Sequence, residues 1–194
     1  MKRFLAIFLL IFSLCLALFF TASKPFVSNG PNAVDGVLDV RGADFTSQVY
    51  ALSGQWEFYH GQLYTPEDFR QGTVKAGEYI DLPGPWTRAG YPKLSHATYR
   101  LKILTSPGQV YLLYIPEIMS SSLIWINGEE FYGAGTVGGS DADTVTGVRN
   151  ELLAAAAPDG VLELVIQAAN YHMNGSGIFY PILIGRDTVL THCM

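Results

Sequence analysis

The side chains best suited to chemistry lie at Asn170, Tyr171 and His172, which end a strongly alternating stretch and run into Met173-Asn-Gly-Ser-Gly177. Strand ends followed by Gly-rich turns often carry binding groups on a rigid support. A histidine supplies one hydrogen-bond donor and one acceptor, which suits a hydroxyl-rich ligand, and it can sense pH. The competing reading is a histidine that only caps the end of the fold. Trp86 follows Pro83-Gly-Pro85 in a loop, where its face can stack on a sugar ring or cover a core edge. Arg100 adjoins Tyr99 on a strand, so the two side chains point to opposite faces. If Tyr99 is inward, the Arg100 fork is free for a carboxylate, for sugar hydroxyls or for a structural ion pair. Trp56, between Gln55 and Glu57, reads as core. The ligand-binding candidates are therefore Trp86, Arg100, Asn170, Tyr171 and His172.

Other chemistries find less support. A retaining glycosidase needs two carboxylates about 5 Å apart across a cleft, whereas Glu129 and Glu130 are adjacent after a turn and point apart. Ser120-Ser-Ser122 lacks the G-x-S-x-G surroundings of a nucleophile elbow. Four scattered histidines without H-x-H or C-x-x-C spacing give no zinc site. Asp141 and Asp143 form a D-x-D among Gly, Ser and Thr, a pattern that can ligate calcium but reads more simply as a solvated loop. The expectation is a binding domain with no catalytic residues, metal or cofactor.

The elements that must position these residues are almost all strands. In Trp125-Ile-Asn-Gly-Glu-Glu-Phe131, Asn127 and Gly128 accept the positive φ of a tight hairpin between apolar flanks. Leu162, Leu164, Ile166 and Ala168 alternate with Glu163, Val165, Gln167 and Ala169, the period of a strand with one face in a core. Strands are expected at 37–40, 55–59, 78–82, 97–104, 109–115, 122–126, 129–134, 161–169 and 178–184, separated by Pro, Gly, Asn and Asp. Thr65 as N-cap, Pro66 at the first position and the acids Glu67 and Asp68 predict a short helix over 66–69. A helical turn is expected at 154–157. Many short strands with turn signals between them indicate an all-β jelly-roll sandwich.

Composition bounds the rest. The 194 residues leave one domain after residues 1–23, which carry Lys2 and Arg3 ahead of an apolar run and read as an export signal, either cleaved or retained as an anchor. That run inflates the mean hydropathy of +0.22. The net charge of −5 gives no electrostatic footprint for nucleic acid. Residues 24–36 read as a linker, 37–185 as the sandwich and 186–194 as a short tail. Cys15 lies in the export segment and Cys193 is penultimate, so no disulfide can staple the sandwich.

Asp39-Val-Arg-Gly-Ala-Asp-Phe45, Leu52-Ser-Gly-Gln-Trp-Glu-Phe-Tyr-His-Gly-Gln-Leu63, Leu82-Pro-Gly-Pro-Trp86, Ala97-Thr-Tyr-Arg-Leu101, Trp125-Ile-Asn-Gly-Glu129 and Asn170-Tyr-His172 occur in one order. In that order they resemble the extracellular sensory domain (type 2) of the 7TMR-DISM bacterial receptors. That domain is similar in turn to the jelly-roll sugar-binding domain of glycoside hydrolase family 2 enzymes. The resemblance spans roughly 38–185. It implies a periplasmic or extracellular sensor for a carbohydrate or other small polar ligand, with a membrane signalling partner. Such receptors continue into seven membrane helices and an output module, neither of which follows Gly185 here. A truncated receptor and a stand-alone sensor both stay open, as do an accessory sugar-binding domain of a polysaccharide-degrading system and a protein-contact module. One expectation needs no ligand: a fragment from Pro31 to Gly185 should show the same melting temperature with and without reductant. A melting temperature lowered by dithiothreitol is the contrary result.

Overall fold

The computed structural model describes residues 27–28 and 30–186. The export segment, both cysteines and most of the tail lie outside these residues. Among the described residues no helix is long and apolar enough to cross a membrane.

The strands are β1 (Val27–Ser28), β2 (Val37–Asp39), β3 (Val49–Ala51), β4 (Gly54–His60), β5 (Glu78–Leu82), β6 (Gly84–Pro85), β7 (Ser95–Leu104) and β8 (Gln109–Ile115). They continue with β9 (Ile118–Met119), β10 (Ser121–Ile126), β11 (Glu129–Ala134), β12 (Glu151–Ala157), β13 (Val161–Asn170), β14 (Gly177–Ile178) and β15 (Leu183–Gly185). A five-stranded sheet in the order β1-β3-β15-β8-β12 packs on a larger sheet in the order β11-β10-β13-β7-β4-β5, with β2 alongside β7. The fold is a jelly-roll β-sandwich. A small third sheet, β6-β14-β9, closes the end at which β8 finishes.

Period-2 patterning explains the core. Leu162, Leu164, Ile166 and Ala168 of β13 are all fully buried and face Tyr111, Leu113 and Ile115 of β8 within one core cluster. Trp56 is fully buried and its indole N–H donates to the Leu52 carbonyl at 3.1 Å. The β10–β11 hairpin turns at Asn127 (φ 52) and Gly128 (φ 85), with Ile126 opposite Glu129. The Asn127 side chain also donates to Ala156 O at 3.0 Å and accepts from Glu163 N at 2.9 Å, tying the turn to both sheets. Helix α1 (Pro66–Gln71) forms where its N-terminal signals place it. The Asp68 carboxylate accepts from the Thr65 N–H at 2.7 Å, and Gly72 ends the helix at φ 67.

Three local expectations fail. Residues 154–157 are strand, because Leu153, Ala155 and Ala157 are needed on the core side of β12 and its backbone completes a ladder with β8. Alanine's helix propensity is weak beside such pairing. The run 178–184 is two strands: it breaks after Ile178, before Phe179, Tyr180 and Pro181, and resumes at Leu183. The stretch read as a linker is docked where it is described. Val27 pairs with Val49, and Ala33 N–H donates to Ser53 O at 2.7 Å. Trp56→Ala should cost about 3–5 kcal/mol of unfolding free energy, as other large-to-small core changes do; urea denaturation followed by fluorescence measures it.

Candidate functional site

Strand β7 places Tyr99 in the core and Arg100 on the opposite face, as alternation requires. The Arg100 guanidinium does not reach an open cleft. Its Nε donates to Glu163 at 2.8 Å, its Nη2 to the same oxygen at 2.5 Å and its Nη1 to Glu57 at 3.2 Å, while the group lies 4.4 Å from the Phe69 ring centre. Burial opposes the charge on Arg100, yet the hydrogen bonds to Glu163 and the charge of Glu57 outweigh it and raise its pKa. Arg100 is thus the structural ion pair of the two readings.

Trp86 is also corrected. It lies in a 3-10 turn, Trp86–Ala89, with no exposed surface, its N–H donating to Pro92 O at 2.8 Å. Gly177 (φ 87) permits this, because a side chain there would strike the Tyr99 hydroxyl and the Trp86 ring. Trp86 therefore supports the end of the sandwich from below and offers no face for stacking.

Asn170 is fully buried. Its amide donates to Lys93 O at 3.2 Å and Met173 O at 3.0 Å, and accepts from Met173 N at 3.0 Å, so it holds the turn after β13. The Tyr171 hydroxyl donates to Gly139 O at 2.7 Å and lies 2.8 Å from His96 Nδ1. Both contacts are satisfied when His96 keeps its proton on Nδ1. His172 Nε2 is 3.1 Å from Thr144 O and Nδ1 is 3.2 Å from Asp141. A neutral imidazole donates to one of these acceptors and only the imidazolium to both. Tyr171 and His172 thus strap the 135–147 loop onto the sandwich end.

The two acids of the D-x-D point to different partners. Asp143 accepts from Ser140 Oγ at 2.6 Å and Asp141 faces His172. Among the described residues no three His, Cys, Asp or Glu side chains converge on a metal position. His60 lies 2.9 Å from Ser95 Oγ and stacks on Tyr91 at 4.6 Å; burial, then the neighbouring His96, lowers its pKa and favours the neutral ring.

The open surface at this end belongs to residues the sequence reading passed over. A hollow of about 490 Å³ is lined by Met119, His172, Met173, Asn174, Phe179 and Tyr180. Beside it a hollow of about 380 Å³ is lined by Tyr114, Glu117, Asn150, Tyr180, Pro181 and Leu183. Tyr180 is shared by both and is 60% exposed. Glu117 and Asn150 stand on the rim, the Glu117 N–H donating to Asn150 Oδ1 at 2.9 Å. Of the five candidates, His172 alone lines this surface. Pro181 was the available signal: a proline within an apolar run argues against a continuous strand and for a bend that turns the preceding aromatics outward.

Fold and surface together define an all-β sandwich domain with an open, aromatic-bearing end. No family model matches the chain, and no curated protein matches it. Among solved structures it is similar to the GH2 beta-galacturonidase from Eisenbergiella tayi bound to galacturonate, at 13% identity over 71% of this chain and 24% of that one, with a TM-score of 0.48. It is similar to the Ruminococcus gnavus beta-glucuronidase at 14% identity over 70% of this chain and 28% of that one, TM-score 0.48. The complex of that enzyme with D-glucuronic acid matches at 13% identity over 70% and 29%, TM-score 0.49. The chain thus spans roughly a quarter of these proteins' length.

Removing Arg100 should leave Glu57 and Glu163 facing each other without a counter-ion. Arg100→Ala should therefore cost about 2–4 kcal/mol of stability, the range for breaking a largely buried ion pair after allowing for its residual exposure. Urea titration of the variant at neutral pH checks this, and a change within about 0.5 kcal/mol contradicts the assignment.

Proposed function

We propose that this chain is a non-catalytic ligand-binding domain, the extracytoplasmic sensory part of a membrane signalling system, and that its ligand is a carbohydrate or similar small polar molecule held at Tyr180. The observation that carries the site is Tyr180 itself, an aromatic face 60% exposed between two hollows. A sugar presents an apolar face to such a ring and hydroxyls to its rim. Asn150, Asn174 and Glu117 provide donors and acceptors there, beside the ring face of His172. No Lys or Arg lines either hollow, and the Lys93 ammonium adjoins the larger one through Asn174 Oδ1 at 3.3 Å. Glu117 is the one carboxylate lining them, against the pair that glycoside hydrolysis uses.

The position of the surface supports the sensory reading. Val27 pairs with Val49, and Arg186 bonds Gln109 at the start of β8, so both ends of the described body emerge at one end of the sandwich. Tyr180 lies at the other, beyond the seven residues of β8, about 20 Å away. A chain held in a membrane through residues 1–23 would present the Tyr180 end outward. The order of the motifs shared with the 7TMR-DISM sensory domains supports the same role.

A glycan array followed by calorimetry tests this reading. Tyr180→Ala should weaken binding by roughly 1–3 kcal/mol, the scale of a lost aromatic anchor, with an unchanged circular dichroism spectrum. Binding of a glycan that is equal in the wild type and in Tyr180→Ala sinks the placement.

A further inference from the structure

The sequence holds three Asn-Gly pairs, at 29–30, 127–128 and 174–175. Before glycine, an asparagine amide lies within reach of a backbone nitrogen that no neighbouring side chain shields, because glycine has no Cβ and turns freely. Asn29 lies outside the described residues, and the other two pairs are held in opposite ways. Asn127 sits at the tip of the β10–β11 hairpin at φ 52 with both ends of its amide engaged: Nδ2 donates to Ala156 O at 3.0 Å and Oδ1 accepts from Glu163 N at 2.9 Å. Swinging that amide onto the Gly128 nitrogen breaks both bonds and unlatches the hairpin from the two sheets. Asn174 stands in the bend between β13 and β14 and is exposed. Among the described residues its amide has one contact, Oδ1 accepting from the Lys93 ammonium at 3.3 Å, and the Gly175 N–H donates to no backbone carbonyl. The fixed part of the turn stops one residue earlier, where Asn170 holds both the N–H and the carbonyl of Met173.

We propose that Asn174-Gly175 is a self-modification site at which water converts the Asn174 amide to a carboxylate, and that Asn127-Gly128 is shielded from the same reaction by its fold. The Gly175 nitrogen gives its proton to solvent hydroxide and attacks Asn174 Cγ. The new N–Cγ bond closes a five-membered imide as the Cγ–Nδ2 bond breaks, and the amide nitrogen leaves as ammonia after taking a proton from water. Water then adds to one of the two imide carbonyls. Opening at Cγ leaves aspartate, and opening at the main-chain carbonyl leaves isoaspartate, with the chain running through the former side chain. Overall one amide and one water become one carboxylate and one ammonium ion, with no oxidation or reduction. Either product adds one negative charge to a chain of formal charge −5, beside the hollow lined by Met173, Asn174, Phe179 and Tyr180. The Lys93 ammonium is in place to pair with it. The two products differ in shape. Gly175 packs so closely that a Cβ there would stand 2.9 Å from the Phe179 ring and 3.3 Å from Met119. The extra main-chain carbon of isoaspartate, inserted directly before Gly175, shifts it against those side chains, so isoaspartate reshapes the hollow and aspartate only recharges it. The reaction does not depend on what binds at Tyr180.

The test incubates the full chain, in detergent, in mildly alkaline buffer made with water enriched in heavy oxygen, then digests it in acid and maps the peptides by mass spectrometry. A carboxylate carrying heavy oxygen should form at Asn174, with isoaspartate exceeding aspartate. Its rate should be at least about tenfold that at Asn127, since a segment held by structure reacts only when it opens locally. In urea the two rates should come within about twofold of each other, because both pairs are then unstructured Asn-Gly. Asn174→Gln should abolish the label in that peptide and leave Asn127 unchanged, because the longer side chain would have to close a six-membered ring. Equal rates at Asn174 and Asn127 in the folded chain overturn the proposal. So does an unlabelled Asn174 after the time in which the urea-unfolded chain is converted, and so does aspartate formed without isoaspartate, which means direct hydrolysis with no imide.

Discussion

The ladder between β7 and β13 is the constraint on which the rest of the structure depends. Its pairing runs without interruption from Val161 opposite Leu104 to Asn170 opposite Ser95. A shift of one residue would turn Leu162, Leu164 and Ile166 out of the core and bring Glu163 in, so the register is held by burial as well as by hydrogen bonds. Once set, it decides the fate of Tyr99 and Arg100. The tyrosine enters the core beneath Gly177, and burial pushes its hydroxyl pKa up and keeps it protonated. The arginine is delivered between Glu57 of the next strand and Glu163, diagonally across the ladder.

The same ladder builds the end of the sandwich. Asn170 is its last residue and spends its amide on the backbone of Lys93 and Met173, which fixes the turn that follows. Tyr171 and His172 then hold the 135–147 loop, and Gly175 and Gly177 let the chain pass close over Phe179, Tyr99 and Trp86. The aromatic left in the open is Tyr180. Polar residues in a promising place have here become the frame of a surface, and the surface is made by their neighbours.

The two outer faces show how one sandwich manages solvent in different ways. The larger sheet hides its charges under helix α1, where Phe69 covers the Arg100 guanidinium. Strands β8 and β12 of the smaller sheet show aliphatic side chains and alanines at their outward positions instead.

Much of the fold was legible because its causes are local. Alternation in 161–169, the positive φ accepted by Asn127 and Gly128, and the Thr65, Pro66 and Asp68 start of helix α1 all act within a few residues. So does the opposition of Tyr99 and Arg100. What only the tertiary structure decided depends on partners far along the chain. Residues 154–157 are strand because β8 waits beside them, and Gln167 reaches Tyr64 O across 103 positions. Trp86 is core because Gly177, ninety-one positions later, leaves room for it. Tyr180 is open because Pro181 follows it and β15 pairs only from Leu183. Local sequence determines which way a side chain leaves its own strand; whether it then meets solvent or another layer is determined by packing between segments that the sequence does not place side by side.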